Sequence, residues 1–245
     1  MKYTITEIVY LREFYCKEDR PTLLRKLEGH TWVSIKDKAG KLGLSRPNIR
    51  TYKLKKLLEN NIINAYWWGL IMSDGYISKK GDVVVRLQKK DEGYLKQFAD
   101  YLGGNLTYGK MVSVSIMDKV NGLQLKEKLG IAQKKTYNPP KSFSFLKTKD
   151  ERLAFLIGFI DGDGSIRFKN CQFKAIQIVT HHNWFEFFQN FCKKLEQDFS
   201  LKFTVTYNGR GNNSVYLGKR KNYDFLMRFI NRNNIPKMQR KWLQK

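Results

Sequence analysis

Two aspartates of this chain stand in the same setting. Asp74 closes the run YWWGLIMSD and Asp163 the run FLIGFIDGD, 89 residues later, and each continues as Gly-X-Ile. The runs before them are apolar and of helical length, with a glycine in the middle. A Gly directly after each Asp suits the left-handed residue that stops a helix. Each carboxylate then lies at a helix C-terminus, where the macrodipole already presents partial negative charge. Two such groups brought together raise each other's proton affinity unless a cation intervenes. Residues that oppose local stability are commonly functional ones. The natural compensation is a hard divalent cation held by carboxylates and carbonyls and keeping several waters, as Mg²⁺ prefers. Acids holding metal beside a phosphate are the machinery of phosphodiester hydrolysis.

The same runs say how the two acids meet. Gly158 and Gly162 are four residues apart, as are Gly69 and Ser73, so each pair lies on one helix face. Small residues at that spacing let helix backbones approach closely. Two such helices predict a helix pair about a pseudo-two-fold axis.

The elements around them repeat. After each Asp-Gly come strand-like alternations, VVVRLQ in one half and SIRF with AIQIV in the other. An amphipathic helix follows, EGYLKQFADYLGG or NWFEFFQNFCKKLEQ, then a hairpin pair, LTYGKMVSVSIM or LKFTVTYNGRGNNSVYL. A basic helix closes each half, NGLQLKEKLGI or YDFLMRFINRNNI. This is a duplicated domain, with halves at 61–131 and 151–245. The stretch 132–150, polar and carrying Pro139 and Pro140, reads as a linker. Residues 1–60 have another texture: helical spacing of Ile5, Ile8, Val9, Leu11 and Tyr15, a second helix at PTLLRKLEG, and a third from the cap Thr31 to Gly43. Three short helices with a basic third describe a trihelical module.

Forty-six Lys and Arg against 22 Asp and Glu give a net charge of +24. That self-repulsion calls for a polyanion, with nucleic acid the first expectation and a membrane surface the second. No apolar run is long enough to span a membrane, and MKYTITEIVYLREFY has no signal-peptide block. The scattered Cys16, Cys171 and Cys192 have no metal-ligand spacing and read as free thiols. An intracellular location follows as an expectation, cytoplasmic or organellar and not secreted.

LIGFIDGDG (156–164) and WWGLIMSDG (67–75) resemble the two copies of the LAGLIDADG motif of homing endonucleases and related intron maturases. The first copy departs from the motif at Trp67, Trp68 and Met72. The resemblance implies an α+β fold of two pseudo-symmetric αββαββα halves forming a saddle on double-stranded DNA. It implies a monomer that cleaves both strands of a long asymmetric site across the minor groove and leaves short 3′ overhangs. Asp74 and Asp163 would bind the metal, together with Ser73 and Gly162. Mg²⁺ is the expected cofactor and Mn²⁺ a substitute, while Ca²⁺ would bind without supporting cleavage. A polar residue near the end of the second strand falls on Gln88 and Lys89, and in the other half on Thr180 or His181. A basic residue beside the site falls on Lys134 or Lys135, and on Lys237. Two other readings use the same fold: a maturase binding its own intron RNA, and a non-cleaving DNA-binding regulator.

GHTWVSIKDKAGKLGL resembles the third helix of the Myb-like helix-turn-helix modules attached to phage and intron nucleases. That directs Val33, Ser34, Lys36, Asp37 and Lys38 toward a groove. The alternative puts the turn at LGLS and the reading helix at RPNIRTYKLKK.

On the sheets, Ser165, Arg167 and Lys169 share one face, as do Val84, Arg86 and Gln88. Polar strands of this kind read base edges in a major groove, and Gln177 joins them. Arg210, Asn212 and Asn213 sit on an expected hairpin tip, YNGRGNN. A calcium loop beginning at Asp161 is excluded, because its sixth and twelfth positions hold Ile166 and Gln172. His181 and His182 have no further ligands at metal-binding spacing.

Overall fold

The computed structural model describes residues 3–18, 20–44, 52–207, 209 and 211–243. They divide into two compact units, 1–50 and 51–245.

In the smaller unit α1 (Ile5–Phe14), α2 (Arg20–Lys26) and α3 (Trp32–Lys41) enclose Leu11, Tyr15, Leu23, Leu27, Ile35 and Ala39. Thr4 and Glu7 form a capping box on α1, Thr31 caps α3, and Gly43 after it has φ +71°. Ile5 and Val9 do not join the core; they are 83% and 56% exposed. Two residues are 200° of helix turn, so Val9 points away from the face that Leu11 buries. The alternative reading helix at 46–56 falls largely outside the described residues.

The larger unit runs through the same element order twice. The first half is α4 (Ile62–Ser73), β1 (Gly75–Ile77), β2 (Val83–Leu87), α5 (Glu92–Leu102), β3 (Leu106–Tyr108), β4 (Val112–Ile116) and α6 (Lys119–Lys128). The second is α7 (Lys149–Asp163), β5 (Gly164–Lys169), β6 (Gln172–His181), α8 (Phe185–Phe199), β7 (Thr204–Tyr207), β8 (Asn212–Gly218) and α9 (Arg220–Arg232), with a last turn α10 (Gln239–Trp242). Two antiparallel sheets result, ordered β1-β2-β4-β3 and β5-β6-β8-β7. The chain is thus α+β, with an αββαββα half on either side of the α4–α7 pair. Residues 54–58, expected in the N-terminal module, belong here: Leu54 and Leu57 are buried in this core.

The α4–α7 contact is backbone against backbone at Gly69 and Gly158, and backbone against the Ser73 side chain at Gly162. A Cβ on Gly158 would stand 1.9 Å from the Tyr66 carbonyl oxygen, and one on Gly69 2.1 Å from that of Phe155. One on Gly162 would overlap the Ser73 hydroxyl at 1.9 Å. The small residues read from the sequence therefore face one another. Asn61 caps α4, and Thr148 with Glu151 forms a capping box on α7.

Two further expectations change. Gly75 and Gly164 are not left-handed caps: Gly164 is extended at φ −84°, ψ 160°, and Gly75 has no positive φ. Each helix passes directly into a strand, and a Cβ would lie 2.8 Å from Ile71 Cα or 2.7 Å from Ile160 Cα. Close approach, and not handedness, requires the glycine. Nor is 132–150 only a connector, since Phe145 and Leu146 are buried in the core and Phe145 packs on Trp68 and Phe155. Among the described residues no helix is long and apolar enough to cross a membrane, and the three cysteines are free.

Gly158→Ala should lower stability by at least about 2 kcal/mol, because the helices must separate to admit one methyl group. Gly93→Ala, at an open helical position, should be neutral or stabilising by up to about 1 kcal/mol. Urea unfolding of both variants checks the contrast.

Candidate active site

Asp74 caps the C-terminus of α4, its N–H donating to Leu70, and Asp163 is the last residue of α7. Because the helices are locked together, the two carboxylates arrive side by side. Each opens to solvent on one side and is surrounded by protein on the others. Among the described residues neither carboxylate receives a hydrogen bond or an ion pair. Burial, and then the neighbouring Asp74, push the Asp163 carboxyl up to about 6, with Lys135 and Lys241 pulling back. Burial raises Asp74 as well, Lys241 and Lys135 oppose it, and Asp91 adds to it. Asp74 thus works against ionisation of Asp163.

Two lysines answer it. Lys135 Nζ donates to the Ile71 carbonyl at 2.9 Å and to those of Met72 and Ser73. Lys241 Nζ donates to the carbonyls of Ile160, Asp161, Gly162 and Gly164 at 2.6–3.0 Å. Each ammonium thus gathers carbonyls at the end of one motif helix, Ile160 among them already accepting from the Gly164 N–H, and sits on the negative pole of its dipole. Burial draws the Lys135 ammonium down to about 8, against Asp163 and Asp74. It lowers Lys241 too, against Asp161, Asp74 and Asp163.

Of the basic candidates, Lys135 reaches the site. Lys134 lies in the turn beside it with φ 54°. Lys237 does not reach it: its Nζ bonds Asn231 at 3.1 Å, and Lys241 holds the place instead. The signal for Lys241 was in the chain, because Gln133-Lys134-Lys135 and Gln239-Arg240-Lys241 are the same Gln-basic-Lys step. The main-chain oxygens of Ser73 and Gly162 are taken by these lysines, and the Ser73 hydroxyl donates back to Gly69 and Leu70.

Strand register places the remaining candidates. Gly75 pairs with Val85 and Gly164 with Ile178, so Gln88 and His181 occupy equivalent positions three residues farther along. Gln88 and Lys89 are exposed beyond the end of β2. On the Asp163 side a cavity is lined by Ser73, Lys135, Asp163, Thr180, His181 and Asn212. Arg86 lies over the Tyr76 ring and Arg167 over Tyr216, both exposed. Lys169 is exposed at the end of β5, and Gln177 is half-buried on β6. Asn213, by contrast, is fully buried and bonded to Thr180, which takes it off the surface. Arg210 lies outside the described residues. In the smaller unit Lys36 is exposed, and Lys38 is half-buried over Tyr3.

The scaffold behind the lysines has no counterpart in the sequence expectations. Asp161 is fully buried and accepts from Tyr66 Oη at 2.6 Å, Trp242 Nε1 at 2.6 Å and the Met238 N–H at 3.0 Å. Arg240 grips the buried Asp91 of the first half with Nε and Nη2. These contacts bind 238–242 to both halves and so fix Lys241.

The donor set suits a hard cation. Among the described residues no three His, Cys, Asp or Glu side chains gather as a metal cage. Two unpartnered carboxylates opening on solvent match an ion that keeps most of its waters, as Mg²⁺ does, and not tetrahedral zinc.

Asp163 also gives a pH prediction. Folded Asp163 holds its proton up to about 6, against an ordinary 3.8, so this group favours the folded state below about pH 4 and ceases to as the pH rises through 6. Asp163→Asn should therefore raise Tm at pH 7.5 in metal-free buffer, with the gain vanishing at pH 4. Calorimetric melts across that range check it.

Neither protein-family models nor curated proteins give a match to this chain. Solved structures do. The homing endonuclease I-WcaI bound to its DNA recognition sequence is 16% identical over 90% of this chain and 98% of its own, at a TM-score of 0.50. The meganuclease I-SmaMI bound to uncleavable DNA is 14% identical over 73% and 87%, also at 0.50. The N-terminal LAGLIDADG domain of DUF199/WhiA is 12% identical over 75% and 84%, at 0.46. At these identities the likeness is one of fold, and the fold this chain shares is that of the homing endonucleases.

Proposed function

We propose that this protein is a site-specific endonuclease that hydrolyses both strands of duplex DNA with a divalent metal ion. The observation that carries the reading is the pair Asp74 and Asp163: unpartnered, open to solvent, and fixed beside each other by the backbone contact of α4 and α7. No structural need is met by placing two carboxylates there. The DNA-bound state of I-WcaI and I-SmaMI and the charge of +24 support DNA as the polyanion.

In this reading Asp74 and Asp163 hold Mg²⁺, for which Mn²⁺ substitutes, while Ca²⁺ supports binding alone. The metal supplies a water of lowered pKa and neutralises the leaving oxygen. Lys135 and Lys241 keep the two helix ends neutral enough for both acids to stay ionised near a phosphate. Thr180, His181 and Asn212 on one side, and Gln88 with Lys89 on the other, supply polar groups at which water and phosphate oxygens are positioned. Both acids come from one chain, so a monomer suffices. Because the flanking groups differ between halves, the target is asymmetric. The exposed arginines and lysines contact phosphates and supply most of the affinity.

A random duplex library tests this without a known target sequence. Incubated with the protein in Mg²⁺, it should yield recurrent double-strand ends with short 3′ overhangs at one long sequence. Asp74→Asn and Asp163→Asn should each reduce cutting by at least about 100-fold, a loss of the size found when preorganised transition-state stabilisation is removed. Both should retain binding of the selected site, and that binding should weaken steeply between about 50 and 200 mM salt. Cutting that survives both substitutions would refute the mechanism. Enrichment of folded RNA over every duplex would point instead to the maturase reading.

A further inference from the structure

Arg167 is placed differently from the other basic residues of the sheets. It stands on β5, an edge strand, yet its guanidinium lies inward, 5.4 Å from the centre of the Tyr216 ring on β8. Nη2 donates to the Tyr216 hydroxyl at 3.0 Å. The register explains how it gets there. Arg167 pairs with Ala175, and Ala175 with Gly218. That cross-strand row carries no large side chain, so the arginine can lie across β6. The adjacent row, Ser165–Gln177–Tyr216–Thr204, presents the tyrosine. Tyr216 is half-buried and Arg167 exposed, so the ring is a fixed support and the guanidinium keeps unused donors toward solvent.

We infer that Arg167, braced by Tyr216, reads a single guanine in the major groove; the inference rests on the DNA-cleaving reading above. A guanidinium offers paired N–H donors in the geometry of guanine O6 and N7, the commonest specific contact between proteins and DNA. Held over the middle of the sheet it meets the groove floor, where base edges are, whereas phosphates meet the rims. Bracing by ring and hydroxyl removes rotamer freedom before binding, so less is lost when the contact forms. Arg86 is less constrained: it lies 5.9 Å from the Tyr76 ring centre, and its row, one past the Gly75–Val85 pair, is level with Asp74. That puts Arg86 beside the reacting phosphate and Arg167 out on the flank. Four residues of strand separate Asp163 from Arg167, about 13 Å, which is about four base pairs of B-DNA. The preferred guanine therefore lies about three to five base pairs outside the cut, on the flank held by the second half.

The experiment is selection from a random duplex library by the full-length protein, read by binding in Ca²⁺ and by cutting in Mg²⁺. Wild type is compared with Arg167→Ala, Arg167→Lys and Tyr216→Phe. The wild type should show one strong guanine about three to five base pairs outside the cut on one flank. Arg167→Ala should lose about ten- to a hundredfold of discrimination at that position and leave the others intact. Tyr216→Phe, which keeps the ring and removes the hydroxyl, should weaken the same position partly. Arg167→Lys, which keeps the charge and loses the fork, should relax it without the uniform loss that a phosphate contact gives. An unchanged guanine preference in Arg167→Ala, or an even drop at all positions, would overturn the inference and leave the nuclease standing. A wild type that neither binds nor cuts any sequence would overturn both.

Discussion

Everything at the site follows from three places where α4 and α7 meet closely, two of them backbone against backbone and the third Gly162 against the Ser73 side chain. Gly69, Gly158 and Gly162 stand where a methyl group would overlap an oxygen of the opposite helix at 2.1 Å or less. Helices that leave no room for one methyl group between them have little tolerance for sliding or rotation. Their contact brings the two C-termini level, and with them two negative helix poles and two carboxylates. The hydrophobic flanks of the pair, Tyr66 to Met72 and Leu153 to Ile160, are buried among the aromatic residues of α5 and α8. The same core thus drives folding and holds an electrostatically unfavourable arrangement in place.

That arrangement is relieved in two layers. The first is permanent: Lys135 and Lys241 each bridge the last carbonyls of one helix. Both reach the site from segments that follow the last long helix of their half, so each half must finish its fold before its helix end is neutralised. The second layer is left open, at the two carboxylates without partners, where the proposed divalent cation would be held. The duplication is not symmetric in chemistry. Asp161 collects Tyr66, Trp242 and the Met238 N–H, while the equivalent position of the first motif is the apolar Met72. The second motif thus carries the centre of a buried polar hub where the first motif packs an apolar side chain. The cavity beside Asp163 has Thr180 and His181 where the other side presents Gln88 and Lys89.

The parts of this plan legible in the sequence are those with a local period. The spacing of Gly69 and Ser73, and of Gly158 and Gly162, announces the helix pair, and the repeated Asp-Gly announces its acids. The order of elements in each half can be read from alternation and helical stripes. What escapes is set by contacts between distant residues. Nothing near Asp161 announces that it serves Trp242, 81 residues on, and nothing near Asp91 announces Arg240, 149 residues on. Lys237 follows the last long helix more closely than Lys241 and so looks the better candidate, whereas the α10 turn brings the later lysine back. Gly75 and Gly164 are legible as necessary glycines, but not the physical reason for them. A left-handed cap and a close strand take-off demand the same residue and look alike in sequence.

The central claim is that Asp74 and Asp163 together hold a divalent ion, and affinity cleavage tests it without any target DNA. Fe²⁺ bound in place of Mg²⁺, with ascorbate and peroxide, generates hydroxyl radicals that cut the polypeptide next to the ion. The account predicts fragments ending near residues 74 and 163. Mg²⁺ and Mn²⁺ should suppress them, and Asp74→Asn with Asp163→Asn should abolish them. Cuts clustered elsewhere, or the same cuts in the double variant, would contradict it.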